Sequence, residues 1–210
     1  MRTLATSTPA RAELTIKRSR FIAHLQRVPT EEDARAVIAT IRKAEADARH
    51  NCTAFRIRAE HGVISRSSDD GEPAGTAGMP MLQTLTGGDL VDVVAVVTRY
   101  FGGIKLGTGG LVRAYSDAVA EAISAANLVE LRSLTLTRLR TPLPHGGALE
   151  ASLREAGALI VDTAWDTDMG LSVAATPAET QRWIGLAREV TRGELTATPM
   201  GSHIVEVPVR

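Results

Sequence analysis

The sequence predicts an α+β protein built as two domains, residues 1–130 and residues 131–210. Stretches alternating polar and apolar at a period of two are interleaved with apolar stripes at helical spacing, the pattern of mixed strands and helices. Past Glu130 the pattern restarts as a self-contained β-α-β-β-α-β run, the order of the ferredoxin-like split motif. A length of 210 residues suits one large domain or two small ones.

Taken in order, residues 1–12 read as a frayed polar leader. Residues 13–28 form an extended pattern in which Phe21, Ala23 and Leu25 alternate with Ile22, His24 and Gln26. Lys17, Arg18 and Arg20 make a basic knot inside it, either a solvated edge or a phosphate contact. Thr30 caps a first helix whose opening turn is acidic (Glu31, Glu32, Asp33) and which runs to about Arg49 and His50. Residues 53–60 and 63–67 are the arms of a hairpin turning at His61 and Gly62. A loop rich in glycine and proline spans 69–78, and a short helix at 80–85 is closed by Gly87 and Gly88. Residues 91–98 are nearly continuous aliphatic sequence, expected as a strand buried on both faces. A glycine loop over 102–110 leads into a helix from Leu111 to about Asn127.

The second domain begins with a strand at 133–140 and a helix near 147–156. Strands at 158–165 and 170–175 follow, turning through Asp166, Thr167 and Asp168. Thr176-Pro177-Ala178-Glu179 is a capping box with proline at the first helical position, and Gly193 ends that helix. A last extended stretch covers 194–207.

Composition narrows the function. Aromatic residues are 3% of the chain, which weighs against stacking of many nucleobases, and the formal net charge is zero, which predicts no bulk attraction to nucleic acid or anionic membrane. The balance is uneven locally: residues 11–58 hold 11 Lys/Arg against 6 Asp/Glu, a net of +5. The single cysteine, Cys52, excludes internal disulfides and any multi-cysteine metal site. No apolar run approaches the roughly 20 residues of a spanning helix, and no signal-peptide pattern stands at the N-terminus, so a cytoplasmic protein without membrane partners is expected.

Chemistry concentrates in two segments. The 102–110 loop lies between a buried strand and a helix, where backbone N–H groups and the helix dipole can hold an anion. Gly102, Gly103, Gly107, Gly109 and Gly110 would form the cradle, and Arg99, Lys105 and Arg113 are the nearest cations in sequence. The loop matches neither the Walker pattern nor the dinucleotide fingerprint. Its bland reading is a tight connection in which glycine permits positive φ and close packing. Asp69, Asp70 and Glu72 place three carboxylates in four residues. They can cap backbone donors in the loop or hold a divalent cation such as Mg²⁺. His50-Asn51-Cys52 carries no nucleophile signature, and no catalytic constellation is legible.

Four segments carry a resemblance: Lys17-x-Ser19-Arg20-Phe21-Ile22, Ala48-Arg49-His50-Asn51-Cys52, Ser67 to Gly78, and Val97 to Tyr115. With the trailing small domain they cover nearly the whole chain and resemble the Impact/YigZ family. That resemblance implies an N-terminal domain like domain two of ribosomal protein S five, followed by a ferredoxin-like domain similar to the last domain of elongation factor G. Eukaryotic members regulate translation initiation through a separate N-terminal RWD domain that engages a kinase-activating partner, an interaction not expected to carry over to this sequence. For bacterial members the resemblance implies association with RNA or the ribosome and regulation of translation. No cofactor is expected under this reading. The rivals are an enzyme acting on a small phosphorylated or acidic metabolite with Mg²⁺, and a protein-interaction module whose motifs serve folding.

Overall fold

The computed structural model describes residues 1–5 and 9–209 and shows a mixed α/β chain of two compact units. Met1–Glu130 forms the first, with which the tail from Val207 groups; Leu131–Glu206 forms the second.

The first unit is organised on a five-stranded sheet. Its strands are β2 (Ala10–Ile16), β3 (Ser19–Arg27), β4 (His50–Ala59), β5 (Gly62–Ser68) and β6 (Val93–Tyr100), in the order β2-β3-β6-β4-β5 with every neighbour antiparallel. Helices α2 (Gly78–Gly87) and α3 (Thr108–Ser124) cover one face, over a core that includes Phe21, Cys52, Val97 and Tyr115. Helix α1 (Glu31–Ala44) covers the other, over Val28, Phe55, Val94 and Val96. β6 lies in the middle with residues 93–99 all buried, because its alternate side chains feed two different cores. Its near-continuous aliphatic sequence therefore reflects helices on both faces, although the sheet is antiparallel.

Several expectations are corrected. Of the frayed leader, Thr6, Ser7 and Thr8 lie outside the described residues, but the rest is ordered structure. A short strand β1 (Arg2–Leu4) buries Thr3 and Leu4, and Ala10 already belongs to β2. β1 is held by distant partners: the Arg2 N–H donates to the Asp89 carbonyl at 2.8 Å, and Arg2–Leu4 pairs with Leu128, Val129 and Glu130. Polarity along a segment does not reveal pairing of that range. The extended stretch 13–28 is two strands of a hairpin, turning at Lys17 and Arg18, whose φ values are +46° and +65°. Two left-handed residues in succession are the turn that matches strand twist, and here they are not glycines. α1 stops at Ala44, since β4 opens at His50. α3 starts three residues before Leu111, taking Gly109 and Gly110 into its first turn.

The second unit comprises β7 (Leu128–Thr141) from Leu131 on, α4 (Leu143–Glu155), β8 (Leu159–Trp165), β9 (Met169–Ala175), α5 (Pro177–Val190) and β10 (Thr196–Pro208) up to Glu206. β9 pairs with β7 and β8, and β10 pairs with the other side of β7. The core is Leu139, Leu149, Leu153, Leu171, Trp183 and their neighbours. α4 begins before the expected Gly147, at Leu143, with a proline in its first turn; within it Gly146 is a packing position, where a Cβ would lie 2.8 Å from the Met169 sulfur. No helix among the described residues is long and apolar enough to cross a membrane.

Candidate functional site: a basic cleft at the start of α3

Register places the site. Arg99 is opposite Phe21 on β3 and opposite His50 on β4, so three adjacent strands set these side chains in a row at one end of the sheet. The row continues the apolar stripe Val93, Ala95 and Val97 on the α2/α3 face, which leaves a guanidinium at the margin of a core. Arg99 is only 6% exposed. Its Nη1 donates to Glu72 Oε1 at 2.7 Å, and the guanidinium lies 5.5 Å from the Phe21 ring centroid and 5.4 Å from that of Phe101. The Tyr115 hydroxyl donates to the same Glu72 oxygen at 2.8 Å. Glu72 is thus bound within the protein, and burial pushes the Tyr115 hydroxyl upward in pKa, holding it neutral as a donor. Among the described residues, Arg99 Nε is buried with no hydrogen-bond partner.

The other two motif carboxylates are also engaged. Asp69 accepts the N–H groups of Gly75 (2.8 Å), Ala77 (2.9 Å) and Gly78 (2.8 Å), and so shapes the loop around one side chain. Asp70 accepts from Arg42 Nη2 and from the Asn51 N–H, both at 2.7 Å. The three carboxylates diverge to separate partners. Among the described residues no group of three His, Cys, Asp or Glu side chains is placed to hold a metal ion. Cys52 is fully buried, its thiol contacts the Asp69 carbonyl at 2.9 Å, and burial pushes it up to about 12, far from a reactive thiolate.

Between the two motif segments lies a cleft of about 390 Å³, lined by Arg49, His50, Arg99, Phe101, Lys105 and Gly107 among others. Gly107, at φ +74°, is the N-cap of α3 and brings no side chain to cap it. The first N–H groups of this 17-residue helix are therefore open to an outside acceptor at the positive end of its dipole. Arg49 and Lys105 make no ion pair among the described residues. His50 Nδ1–H donates to the Asp70 carbonyl at 2.9 Å, since a carbonyl can only accept, and this fixes the ring at the cleft wall.

The structure gathers some of the sequence candidates and separates others. Arg99, Lys105 and Gly107 line the cleft, and Gly109 and Gly110 stand in the first turn of α3. Gly102 and Gly103 stand outside the cleft lining. A Cβ on Gly102 would fall 2.0 Å from the carbonyl carbon and oxygen of Arg18, so only glycine lets the β2–β3 turn close on this loop. Lys17 and Arg18 are exposed in that turn, Arg20 is paired with Glu13 at 2.8 Å and stacked on Tyr100, and Arg113 is exposed on α3 outside the cleft lining. Sequence reasoning missed Arg49 and Phe101 as cleft residues. Both stand inside the four motif segments, but neither sits at a spacing that marks it.

The model of the Impact N-terminal domain matches residues 17–123. The sequence is 40% identical over 182 residues to IMPACT family member YvyE of Bacillus subtilis, covering 87% of this chain and 83% of that one. It is 37% identical over 181 residues to IMPACT family member YigZ of Escherichia coli, covering 86% and 89%. Among solved structures, a crystal structure described as that of a hypothetical protein is 34% identical with a TM-score of 0.59, covering 94% of this chain and 95% of that one.

Proposed function

Because this chain belongs to the Impact family, we propose that it is a binding protein of translational regulation that contacts RNA or the ribosome by seating a phosphate in the cleft at the start of α3. Family kinship supplies the translational setting, and the β-α-β-β-α-β order of the second unit supports its reading as a ferredoxin-like domain. One observation carries the phosphate: a buried arginine with an unpartnered Nε, an uncapped helix N-terminus and two unpaired cations, Arg49 and Lys105, border one cavity. Oriented N–H groups and guanidinium donors are what a phosphate requires. A chain of zero net charge gains affinity from such fixed contacts rather than from bulk attraction.

A metabolite enzyme would use the same cavity, which does lie between the two motif segments. The carboxylate lining it, Glu72, is however tied to Arg99 and Tyr115, so that carboxylate is not free to act as an acid or base. The mutual pairing of Asp69, Asp70, Glu72 and Arg99 with loop and core also has these side chains building the site, as the folding-only reading requires of them. That reading leaves Lys105 and Arg49 unexplained.

The test is co-sedimentation with ribosomes from lysate at low and moderate salt, comparing wild type with Arg49→Ala/Lys105→Ala. Association that survives moderate salt and falls in the double variant is expected. Absence of the wild-type protein from all ribosomal fractions at low salt would overturn the proposal.

A further inference from the structure

Resting on that cleft reading, we infer that the groove between α1 and the β4–β5 hairpin holds further phosphates of the same RNA strand, so that the ligand is a single-stranded segment rather than an isolated phosphate.

The groove has a volume of about 460 Å³ and is lined by Arg35, Arg42, Arg66, Thr53, Ser68 and Phe55 among others. Arg35 and Arg42 are seven residues apart, two turns along one face of α1. Arg66 stands opposite Phe55 on the neighbouring strand. Two elements thus aim three guanidiniums at one hollow. Among the described residues, Arg66 donates only to the carbonyl of adjacent Ser65 at 3.1 Å. Arg35 pairs with Glu31 at 2.5 Å and Arg42 with Asp70 at 2.7 Å, but their side chains are 68% and 44% exposed. Surface pairs of this kind are weak and are readily exchanged for a phosphate.

Asp70 joins the two cavities. Its carboxylate accepts from Arg42, which lines the groove, while its carbonyl accepts from His50, which lines the cleft. One residue is thus bonded to a lining residue of each cavity. The local excess of +5 in residues 11–58 has its structural counterpart here, since Arg35, Arg42 and Arg49 all belong to that stretch. Two hollows linked only through one residue's hydrogen bonds suit a thin, flexible polyanion that can bend from one to the other, whereas duplex RNA presents a broad, stiff surface. Phe101, 51% exposed at the cleft, offers a face on which one unpaired base can stack. That feature favours RNA over an acidic peptide.

The test uses 5′-phosphorylated oligouridylates of two and of eight nucleotides, labelled at the 3′ end, and fluorescence anisotropy over a range of salt. Wild type is compared with Arg35→Ala/Arg66→Ala and with Arg49→Ala/Lys105→Ala, the fold of each checked by circular dichroism. Both groove residues are exposed, and Arg66→Gln serves as a milder second variant. The groove variant is expected to hold the two-nucleotide probe as wild type does. It should bind the eight-nucleotide probe roughly tenfold more weakly, with the salt slope reduced by about 0.7 for each phosphate that is no longer neutralised. Equal binding of the longer probe by wild type and groove variants overturns this inference and leaves the cleft reading standing. Failure of wild type to bind either probe overturns both. An eight-residue polyglutamate bound as tightly as the longer probe also overturns the inference, because charge alone would then suffice.

Discussion

Asp69 is a carboxylate whose whole hydrogen-bonding capacity goes into one loop. Burial works to raise its pKa, but the N–H groups of Gly75, Gly78 and Ala77 outweigh that and hold the carboxyl below its ordinary range. A carboxyl depressed in the folded state stabilises fully above its unfolded pKa, about 3.9, and loses that contribution as pH falls through the folded value. Asp69→Asn replaces one acceptor oxygen with an NH₂ facing backbone donors, and should cost roughly 2–3 kcal/mol at pH 7. The difference from wild type should shrink at pH 3, below the unfolded pKa, where the unfolded chain takes up a proton that the folded carboxyl resists. Urea unfolding of both proteins at the two pH values measures it; an unchanged difference would assign the loss to shape rather than charge. The same residue shows what a sequence can disclose. Three carboxylates beside glycines are legible as loop-builders or metal ligands, and only three-dimensional partners separate the two: backbone for Asp69, Arg42 for Asp70, Arg99 and Tyr115 for Glu72.

At the scale of elements, legibility follows the range of the forces involved. Helix α5 could be placed from four residues because its start is a local device. Glu179 Oε2 accepts the Thr176 N–H at 2.9 Å, and the Glu179 N–H donates to Thr176 Oγ1 at 3.4 Å. Thr176→Ala should therefore cost about 1 kcal/mol, read as a lower urea midpoint for tryptophan fluorescence, since Trp165 and Trp183 both lie in the second unit. No shift would mean that α5 is held by its packing alone. The central strand β6 was likewise legible, because burial on both faces writes itself as uninterrupted Val and Ala. β1 was not, since its bonds go to residues 88–91 and 128–130, and neither was the Lys17-Arg18 turn, where left-handed backbone is adopted by residues that do not advertise it. The cleft falls between these cases. Its glycines and Lys105 stand out in sequence, while Arg49 and Phe101 join it only through register and loop closure.

For the whole molecule, the functional surface and the stability of its unit are one question. The sheet β2-β3-β6-β4-β5, both of its cores, the cleft and the arginine groove are contributed by residues within Met1–Glu130. A unit with two filled cores and its own sheet meets the requirements of an independently folding domain. The fragment 1–130 should therefore unfold in a single cooperative transition and retain the near-ultraviolet dichroism of Tyr100 and Tyr115. Tyr115 is the sharper reporter, fully buried and edge-on to Phe21 with centroids 5.2 Å apart. The fragment should also bind the two-nucleotide probe with the affinity of the full chain, because every residue assigned to the cleft is present. A cooperative fragment that has lost that binding would place part of the site outside residues 1–130. A fragment that melts without cooperativity would show that the first unit depends on residues beyond Glu130 for its stability.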